Sequence, residues 1–458
     1  MTSGPAEGPV PSDGLDLAVQ RARAHRDGPG RVAPGAEERR LLDDLPTTLP
    51  DTPTSADEVV ELLDRLVEPN TTRSIGGRYF GFVNGGTQPA ALASAVLTAT
   101  WDQNLALPVM SPGPAAVDTI AAGWIRDLLG LPERSVVTFC GGASIANLTG
   151  VLAGRDALLH RLGWSVAERG THGAPPLRIV MGTEAHVSAV KAVRIAGFGT
   201  DNIEWVRSDA FGRLDPSALP PLDDHTLVVL QAGNVNTGHS DPFTEILPAV
   251  GAAGAWAHVD GAFGLWAAAS PAHRHEVAGV EAADSWATDA HKWLNAPYDS
   301  GICAVRDGDD LRRVTATDAA YVETSDERAL MHLGLQMSQK ARGVESYAAL
   351  LGFGRDGLVE MIDRTCALAR RFAERLADGG VEVLCPPALN QALVSFGDDA
   401  TTDAVVAAVQ ADGRLWAGAT TWQGRRAMRL SVSSHASTPD DIDECAEVVF
   451  ALWRQLPG

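Results

Sequence analysis

Basic residues are scarce in this chain of 458 residues, and lysine is the scarcest of them. Lysine and arginine total 37 against 58 aspartates and glutamates, which gives a formal net charge of −21. An acidic surface repels phosphate backbones and anionic lipid, so no nucleic-acid or membrane partner is expected. Uncharged apolar runs long enough to cross a bilayer are also missing from the sequence.

Cysteines are few and scattered, and the N-terminus lacks the features of a secretory signal. The five cysteines are odd in number and form no CxxC pair, which excludes a disulfide framework and a cysteine metal cluster. They are expected to be reduced packing residues in a cytoplasmic protein, and no metal site is expected. The first dozen residues have neither a basic segment nor an apolar core and are predicted to be a disordered tail.

The length and the hydrophobic pattern predict an α/β protein with two domains. Residues 1–75 are expected to form an N-terminal arm and helical segment, with a helical pattern from Leu15 to His25 and a helix that begins at Ser55. In residues 76–320, short apolar runs alternate with amphipathic patterns, which predicts a mostly parallel sheet covered by helices on both faces. Residues 321–458 are expected to form a smaller C-terminal α+β domain.

The stretch from Trp256 to Val305 carries the strongest chemical signal. In HVDGAFG, an apolar run ends in His258 and Asp260; in DAHKW, Lys292 stands before another apolar run. A lysine amine can condense with an aldehyde cofactor, while a carboxylate keeps the cofactor ring nitrogen protonated. A lone lysine is usually a solvated surface charge, but Lys292 lies among apolar and aromatic residues. The pair therefore predicts pyridoxal 5'-phosphate as the cofactor.

The two motifs resemble the signature of the group II pyridoxal-dependent decarboxylases, which include the aromatic amino acid and glutamate decarboxylases. The resemblance covers roughly residues 76–450. It implies the aspartate aminotransferase fold of pyridoxal phosphate enzymes, a homodimer with its site at the subunit interface, and an L-amino acid as substrate. In that reaction the substrate amine displaces Lys292, and loss of carbon dioxide leaves a carbanion delocalised into the ring.

Two further segments are predicted to contact the cofactor. Gly142, Ala143 and Ser144 lie in a glycine-rich turn at the start of a helix, where backbone amides favour an anion. Such a turn is often an ordinary connection, but the resemblance implies that it holds the cofactor phosphate. His186 begins another helix, and the resemblance implies that it stacks on the pyridine ring.

Three further regions are predicted to contact the cofactor. Asn234 and Thr237 lie in a loop after the run Thr226–Leu230, at the end of a strand where ligands of open α/β sheets bind. Ala262 is expected to be the small residue under the ring. By resemblance, His291 contributes to phosphate or substrate contacts.

Several segments correspond to those that line the substrate pocket across the dimer in relatives. Their residues predict a substrate with an apolar or aromatic side chain. These segments contain Tyr79, Phe80, Phe82, Trp101 and residues 105–110. No basic cluster for a side-chain carboxylate is evident, with Arg78 as a possible exception. Arg342 and Arg429 match places where the family carries arginines.

The sequence departs from the aromatic amino acid decarboxylases in the loop before Arg342. Those enzymes use a loop tyrosine to protonate the substrate carbanion, whereas ETSDERALMHLGLQMSQK contains none. The nearest replacements are His332, within the loop, and Tyr321, just before it. Histidines titrate near neutral pH, so His332 is the predicted proton donor, with water as the alternative.

Three other outcomes of the same cofactor stay open: decarboxylation with oxidative deamination to an aldehyde, transamination, and carbon–carbon lyase chemistry. A non-catalytic scaffold that keeps the fold is a fourth alternative. The presence of both Lys292 and Asp260 argues against a scaffold.

Overall fold

The computed structural model describes residues 13–28, 30–317 and 328–456. The N-terminal arm contains the helices α1 (Leu15–Asp27), α2 (Ala36–Arg40) and α3 (Ala56–Leu66). The predicted start of α3 is confirmed, because the Ser55 side chain accepts from the Glu58 amide and the Glu58 side chain accepts from the Ser55 amide. The predicted disordered tail lies outside the described residues.

The central sheet of the large domain has seven strands. Its strands are β1 (Val136–Cys140), β2 (Arg178–Gly182), β3 (Ile203–Val206), β4 (Thr226–Gln231), β5 (Trp256–Asp260), β6 (Ser285–Asp289) and β7 (Gly301–Val305). The spatial order is β1-β7-β6-β5-β4-β2-β3, and β7 is antiparallel to both of its neighbours. The other strands run parallel, which confirms the predicted mostly parallel sheet.

The register of the parallel strands aligns their carboxyl ends. Gln231 at the end of β4 pairs with Asp260 at the end of β5, and Asp260 pairs with Ala287 in β6. Asp289 ends β6 and pairs with Gly301, the first residue of the antiparallel strand β7. Polar side chains from three strands therefore meet at one edge of a buried sheet, where α/β proteins bind ligands.

Helices cover this sheet on both faces, as the alternating pattern predicted. They are α4 (Pro89–Trp101), α5 (Pro112–Leu128), α6 (Ala143–Arg161), α7 (Val166–Arg169), α8 (Val187–Ile195), α9 (Phe243–Ala252) and α10 (Gly308–Thr315). Two separate clusters of buried apolar side chains lie on the two faces of the sheet. The strands are buried because their residues are apolar on both sides.

The smaller domain has a four-stranded antiparallel sheet. Its elements are α11 (Arg342–Asp378), β8 (Glu382–Val383), β9 (Gln391–Ser395), α12 (Asp399–Asp412), β10 (Gly418–Trp422), β11 (Arg425–Ser431) and α13 (Pro439–Gln455). The strand order is β10-β11-β9-β8. This arrangement confirms a C-terminal α+β unit, and the predicted boundary at residues 320/321 falls outside the described residues.

One segment assigned to the large domain packs on the small sheet. The Phe80 amide donates to the Trp416 carbonyl at 2.8 Å, and the Ser431 amide donates to the Phe80 carbonyl at 3.0 Å. The Phe80 ring is fully buried and meets Phe372 of α11 edge to face. Residues 79–80 therefore belong structurally to the smaller unit, although the sequence assigned them to the large domain.

The five cysteines are buried and free, as expected of packing residues. Among the described residues, no helix has the length and apolar character needed to cross a membrane.

Candidate functional site

Lys292 lies in the turn that follows β6. Its Nζ atom is 3.2 Å from Asp289 Oδ2, and its side chain is 18% exposed. The next residue, Trp293, is fully buried and donates its indole N–H to Thr365 Oγ1 at 2.9 Å. The backbone of Gly85 presses on the Lys292 carbonyl so closely that a Cβ at Gly85 would lie 1.6 Å from that oxygen. These contacts fix the backbone of Lys292, and its amine lies at the cleft.

Asp260 lies across the same cleft, at the end of β5. Its side chain is nearly inaccessible; Oδ1 accepts from the Ala262 amide at 3.2 Å, and Oδ2 accepts from the Ser188 hydroxyl at 3.4 Å. Each oxygen therefore keeps lone-pair capacity for another donor. A carboxylate so placed can stabilise a positive charge inside the cleft.

His186 caps α8 and stands beside Asp260. Its Nδ1 atom accepts from the Ser188 amide at 3.2 Å and lies 2.7 Å from the Ser188 hydroxyl. Burial lowers the pKa of His186, and the nearby Lys292 ammonium acts in the same direction, although Asp260 opposes them. The ring is therefore neutral at pH 7 and presents an aromatic face rather than a second cation.

Lys292, Asp260 and His186 line one narrow cleft. The residues that line it are His186, Gln231, Gly233, Val235, Asp260, Ala262, Phe263 and Lys292. The structure thus brings together four of the sequence-predicted residues: His186, Asp260, Ala262 and Lys292.

Asn234 and Thr237 are buried in the loop after β4, but their polar groups bond within the protein. Asn234 Oδ1 accepts from the amides of Asn236 and Thr237, and the Thr237 hydroxyl donates to the Phe211 carbonyl at 2.7 Å. These bonds shape the loop, while its Gly233 and Val235 line the cleft. Sequence position alone did not distinguish the residues that face the cleft from those that brace the loop.

The glycine-rich turn before α6 lies next to the lysine turn. The Ala143 amide donates to Asp289 Oδ1 at 2.6 Å, and a Cβ at Gly142 would lie 3.2 Å from the His291 ring. Gly142 has a φ of 137°, which favours glycine. The Ser144 side chain is exposed.

His291 connects this turn to an aromatic residue. Its Nδ1 accepts from the Ser300 amide at 3.1 Å, and its ring stacks on Tyr298 with centroids 4.1 Å apart. Burial lowers the pKa of His291, although Asp289 opposes this shift. The Tyr298 hydroxyl donates to Asn84 Oδ1 at 2.7 Å and thereby links the lysine turn to the 76–86 segment.

Comparison with known proteins decides the family. The profile of the pyridoxal-dependent decarboxylase conserved domain matches residues 36–397, which is most of the chain. The chain belongs to the pyridoxal-dependent decarboxylase family. Its cofactor is pyridoxal phosphate, and the matched span contains the whole cleft described above.

Several decarboxylase relatives align along nearly the full length. Tyrosine decarboxylase 2 of Narcissus pseudonarcissus is 24% identical over 440 residues, covering 89% of this chain and 86% of that protein. Phenylacetaldehyde synthase of Arabidopsis thaliana is 24% identical over 444 residues, covering 88% and 87%. The structure of Oryza sativa TDC with PLP and tryptamine matches with a TM-score of 0.88 at 22% identity, covering 98% of this chain and 99% of that one. This last likeness confirms the aspartate aminotransferase-like fold.

The decarboxylase cleft fits pyridoxal phosphate by its donor set. A lysine amine and a buried carboxylate line one cleft, with a neutral imidazole beside them. At the glycine-rich turn, Arg342 is held by Asp299 at 3.2 Å, and its buried Nη1 lacks a hydrogen-bond partner among the described residues. A cationic donor left over near backbone amides suits a phosphate ester.

The other predicted arginines differ in what they can bind. Arg78 pairs with Asp441 at 2.7 Å and with Glu444 at 2.5 Å, both on α13, so its charge is already neutralised. Arg429 donates to the Val235 carbonyl at 3.3 Å and has no carboxylate partner among the described residues. Burial lowers the pKa of Arg429, as expected of a cation without a counter-charge.

The predicted substrate segment contributes an aromatic cluster. Tyr79 stacks on Trp416 with ring centroids 5.1 Å apart. Phe82 packs on the same indole, and the Phe82 residue is 62% exposed. Trp101, Val109 and Met110 are exposed on this single chain, whereas Leu105 and Ala106 are buried.

His332 lies at the edge of the segment 318–327, and Tyr321 falls outside the described residues. The His332 carbonyl accepts from Thr315 Oγ1 at 2.7 Å, and its Nδ1 accepts from the Thr317 amide at 3.4 Å. The neighbouring Met331 amide donates to the Ala106 carbonyl. Within one chain, His332 is therefore held against the end of α10 and is not among the residues that line the cleft.

Sequence reasoning missed Asp289, Ser188, Tyr298 and Asn84. Asp289 stood inside the quoted DAHKW motif, three residues before the lysine, which was the available signal. No strand is predicted from the sequence immediately before the lysine, whereas the structure has strand β6 there. Tyr298 and Asn84 carried no signal, because their contact depends on two distant segments meeting.

Proposed function

We propose that this protein decarboxylates an L-amino acid with an aromatic or apolar side chain and releases the amine. The observation that carries the proposal is the placement of Lys292 and Asp260 in one cleft with a neutral His186 beside them. Pyridoxal phosphate, when bound, supplies the aldehyde for amine exchange and a ring that accepts the electron pair left by carbon dioxide.

Each residue of the cleft has a distinct proposed role. Lys292 would hold the cofactor covalently through its amine, which is the group that a substrate amine would replace. The Asp260 carboxylate keeps the ring nitrogen protonated, because it is buried and has spare lone pairs. His186 would stack against the cofactor ring, Ala262 would leave room for that ring, and Gly142 to Ser144 together with His291 would hold the phosphate.

Arg429 is the proposed anchor for the substrate carboxylate. A partly buried guanidinium without an anionic partner gains from binding one, since an unpaired buried charge is costly. It reaches Val235, which lines the cleft. The aromatic cluster of Tyr79, Phe82 and Trp416 and the neutralised Arg78 favour an uncharged side chain over an acidic one.

We propose a homodimer whose subunits complete each other's sites. Among the described residues, large apolar side chains remain exposed on three helices, and one of these helices, α4, contains no charged residue. The exposed side chains are Val59 and Leu63 of α3, Val96, Leu97 and Trp101 of α4, and Ile120 and Trp124 of α5. Exposed apolar side chains in this number favour a protein–protein interface.

The cytoplasm is the proposed location. All five cysteines are buried, and none of them forms a disulfide. Unbridged thiols persist in a reducing compartment.

Product analysis tests the proposed reaction. The protein is supplied with pyridoxal phosphate and a panel of L-amino acids, and mass spectrometry identifies the products. We expect the amines of tyrosine, tryptophan or phenylalanine, and none from glutamate. Failure to form an amine or an aldehyde from any member of the panel would refute the proposal.

Borohydride reduction followed by peptide mapping tests the lysine. The chain has only three lysines, Lys191, Lys292 and Lys340. We expect the reduced cofactor on Lys292 alone, lost in Lys292→Ala and kept in the matched control Lys191→Ala, whose lysine is exposed on α8. An adduct on either other lysine would contradict the assignment.

Aldehyde formation is the second candidate, favoured by the loop without a tyrosine. A relative 24% identical is named a phenylacetaldehyde synthase. In that reaction one oxygen and one water are consumed per amino acid, and carbon dioxide, ammonia and hydrogen peroxide accompany the aldehyde. Peroxide produced in equal amount to the aldehyde would establish this outcome, and amine without peroxide would exclude it.

A further inference from the structure

Asp289 occupies the position where the cofactor phosphate is proposed to bind. Its side chain is almost completely buried, and its Oδ1 accepts from the Ala143 amide at 2.6 Å. Ala143 is the first residue of α6, a helix of 19 residues whose N-cap, Gly142, offers no side-chain cap. A carboxylate from another strand therefore satisfies the amide that opens this helix.

The same carboxylate also balances the charge of the lysine turn. Asp289 Oδ2 lies 3.2 Å from Lys292 Nζ, and Oδ1 lies 3.6 Å from His291 Nε2. From neighbouring elements, Arg342 is held near Gly141 by its own partner Asp299, and His186 is neutral. Lys292 is consequently the cation that balances the negative charge of Asp289.

A phosphate that approaches this turn meets a fixed negative charge. Gly142 is so close to the carboxylate that a Cβ there would lie 3.6 Å from Asp289 Oδ1. Two anions cannot share the Ala143 amide, and their repulsion at this range in a buried site is strong. The phosphate must displace the carboxylate from the helix end, and the displaced carboxylate loses its hydrogen bond.

We propose that Asp289 is an internal anion that competes with the cofactor phosphate for the N-terminus of α6. The competition weakens cofactor binding, so that the fraction of active enzyme follows the supply of pyridoxal phosphate. This inference rests on the proposed phosphate position. It adds Asp289, a residue that opposes cofactor binding, to the residues that are proposed to hold the cofactor.

Equilibrium binding to the cofactor-free protein tests the proposal. Tryptophan fluorescence follows titration with pyridoxal phosphate and with pyridoxal, which has the same ring and aldehyde but no phosphate. Asp289→Asn keeps the shape and an acceptor for Ala143 but removes the charge. We expect it to bind pyridoxal phosphate about tenfold tighter or more, with its affinity for pyridoxal changed less than about twofold.

Asp284→Asn is the matched control. Asp284 precedes β6 at the opposite end, and its Oδ2 accepts from the Ala257 amide at 2.9 Å. We expect this variant to bind both ligands as the natural chain does. Inorganic phosphate should also displace pyridoxal phosphate more effectively from Asp289→Asn than from the control.

Two results would overturn the proposal. One is weaker or unchanged binding of pyridoxal phosphate by Asp289→Asn; the other is an equal gain for both ligands, which would indicate an effect on Lys292 or on packing. Asp289→Ser also removes the charge and replaces the Asn variant if that one does not fold. A natural chain that binds no pyridoxal phosphate at any concentration would instead refute the proposed function.

Discussion

His258, the first residue of HVDGAFG, makes the stability of the large domain depend on pH. It is fully buried in β5, with Nδ1 at 2.8 Å from Ser285 Oγ and Nε2 at 3.0 Å from Asn147 Oδ1. The Asn147 oxygen can only accept, so Nε2 carries the hydrogen and Nδ1 accepts from the serine. This arrangement holds a neutral ring, and burial lowers the pKa of His258 to about 4.

The size of the effect follows from proton linkage. In the unfolded chain the histidine has an ordinary pKa of 6.5, so that state binds the proton more readily than the folded one. The contribution of neutral His258 to the free energy of unfolding is fully present above pH 6.5. It is lost as the pH falls from 6.5 towards 4. Between pH 7 and pH 5 the loss amounts to about 2 kcal/mol, because one pKa unit corresponds to about 1.36 kcal/mol.

The variant His258→Gln isolates this contribution, since glutamine can donate to Asn147 but does not titrate. We expect its free energy of unfolding to fall by about 2 kcal/mol less than that of the natural chain between pH 7 and pH 5. Urea unfolding is followed by tryptophan fluorescence, to which the buried Trp256 and Trp286 of the same sheet contribute. Equal pH dependence in the two proteins would show that His258 is not held neutral by burial.

Three further predictions concern the site and its assembly. Tyr298→Phe keeps the stack on His291 but removes the donor to Asn84, and we expect thermal unfolding to show a loss of about 1 kcal/mol; an unchanged midpoint would contradict this. Leu97→Glu places a charge on the exposed apolar face of α4, and light scattering should then find monomers; a dimer of undiminished stability would place the interface elsewhere. His332→Ala should lower the yield of amine and raise the share of aldehyde without weakening substrate binding; an unchanged product ratio would remove His332 from proton transfer.

Some elements were absent from the sequence-based prediction for identifiable reasons. The strands β3 and β10 lie at the edges of their sheets, and β10 is half exposed, so neither shows a continuous apolar run. Strand β6 is central, but four of its five residues SWATD are small or polar, and β-propensity is weak evidence where neighbours decide burial. Which polar groups pair with the residues of β6 depends on how the strands are aligned in the sheet.

Local features of the sequence were enough to predict which charged groups meet in the cleft. Asp260 and Lys292 were found because each follows from local features, an apolar run that ends in a carboxylate and a lysine among aromatic residues. The helix at Ser55 was found for the same reason, since its capping box spans only four residues. Burial on both faces also made the parallel strands readable as apolar runs.

Only the tertiary structure decided how those groups are charged and paired. Asp289 meets Ala143, 146 residues away, because the order β1-β7-β6 places the start of α6 beside the end of β6. Arg78 is neutralised by α13, whereas Arg429 has no counter-charge in the part of the chain that the structure describes. A residue's type fixes what it can bind, but its free lone pairs and unpaired charge depend on which distant segments have already used them.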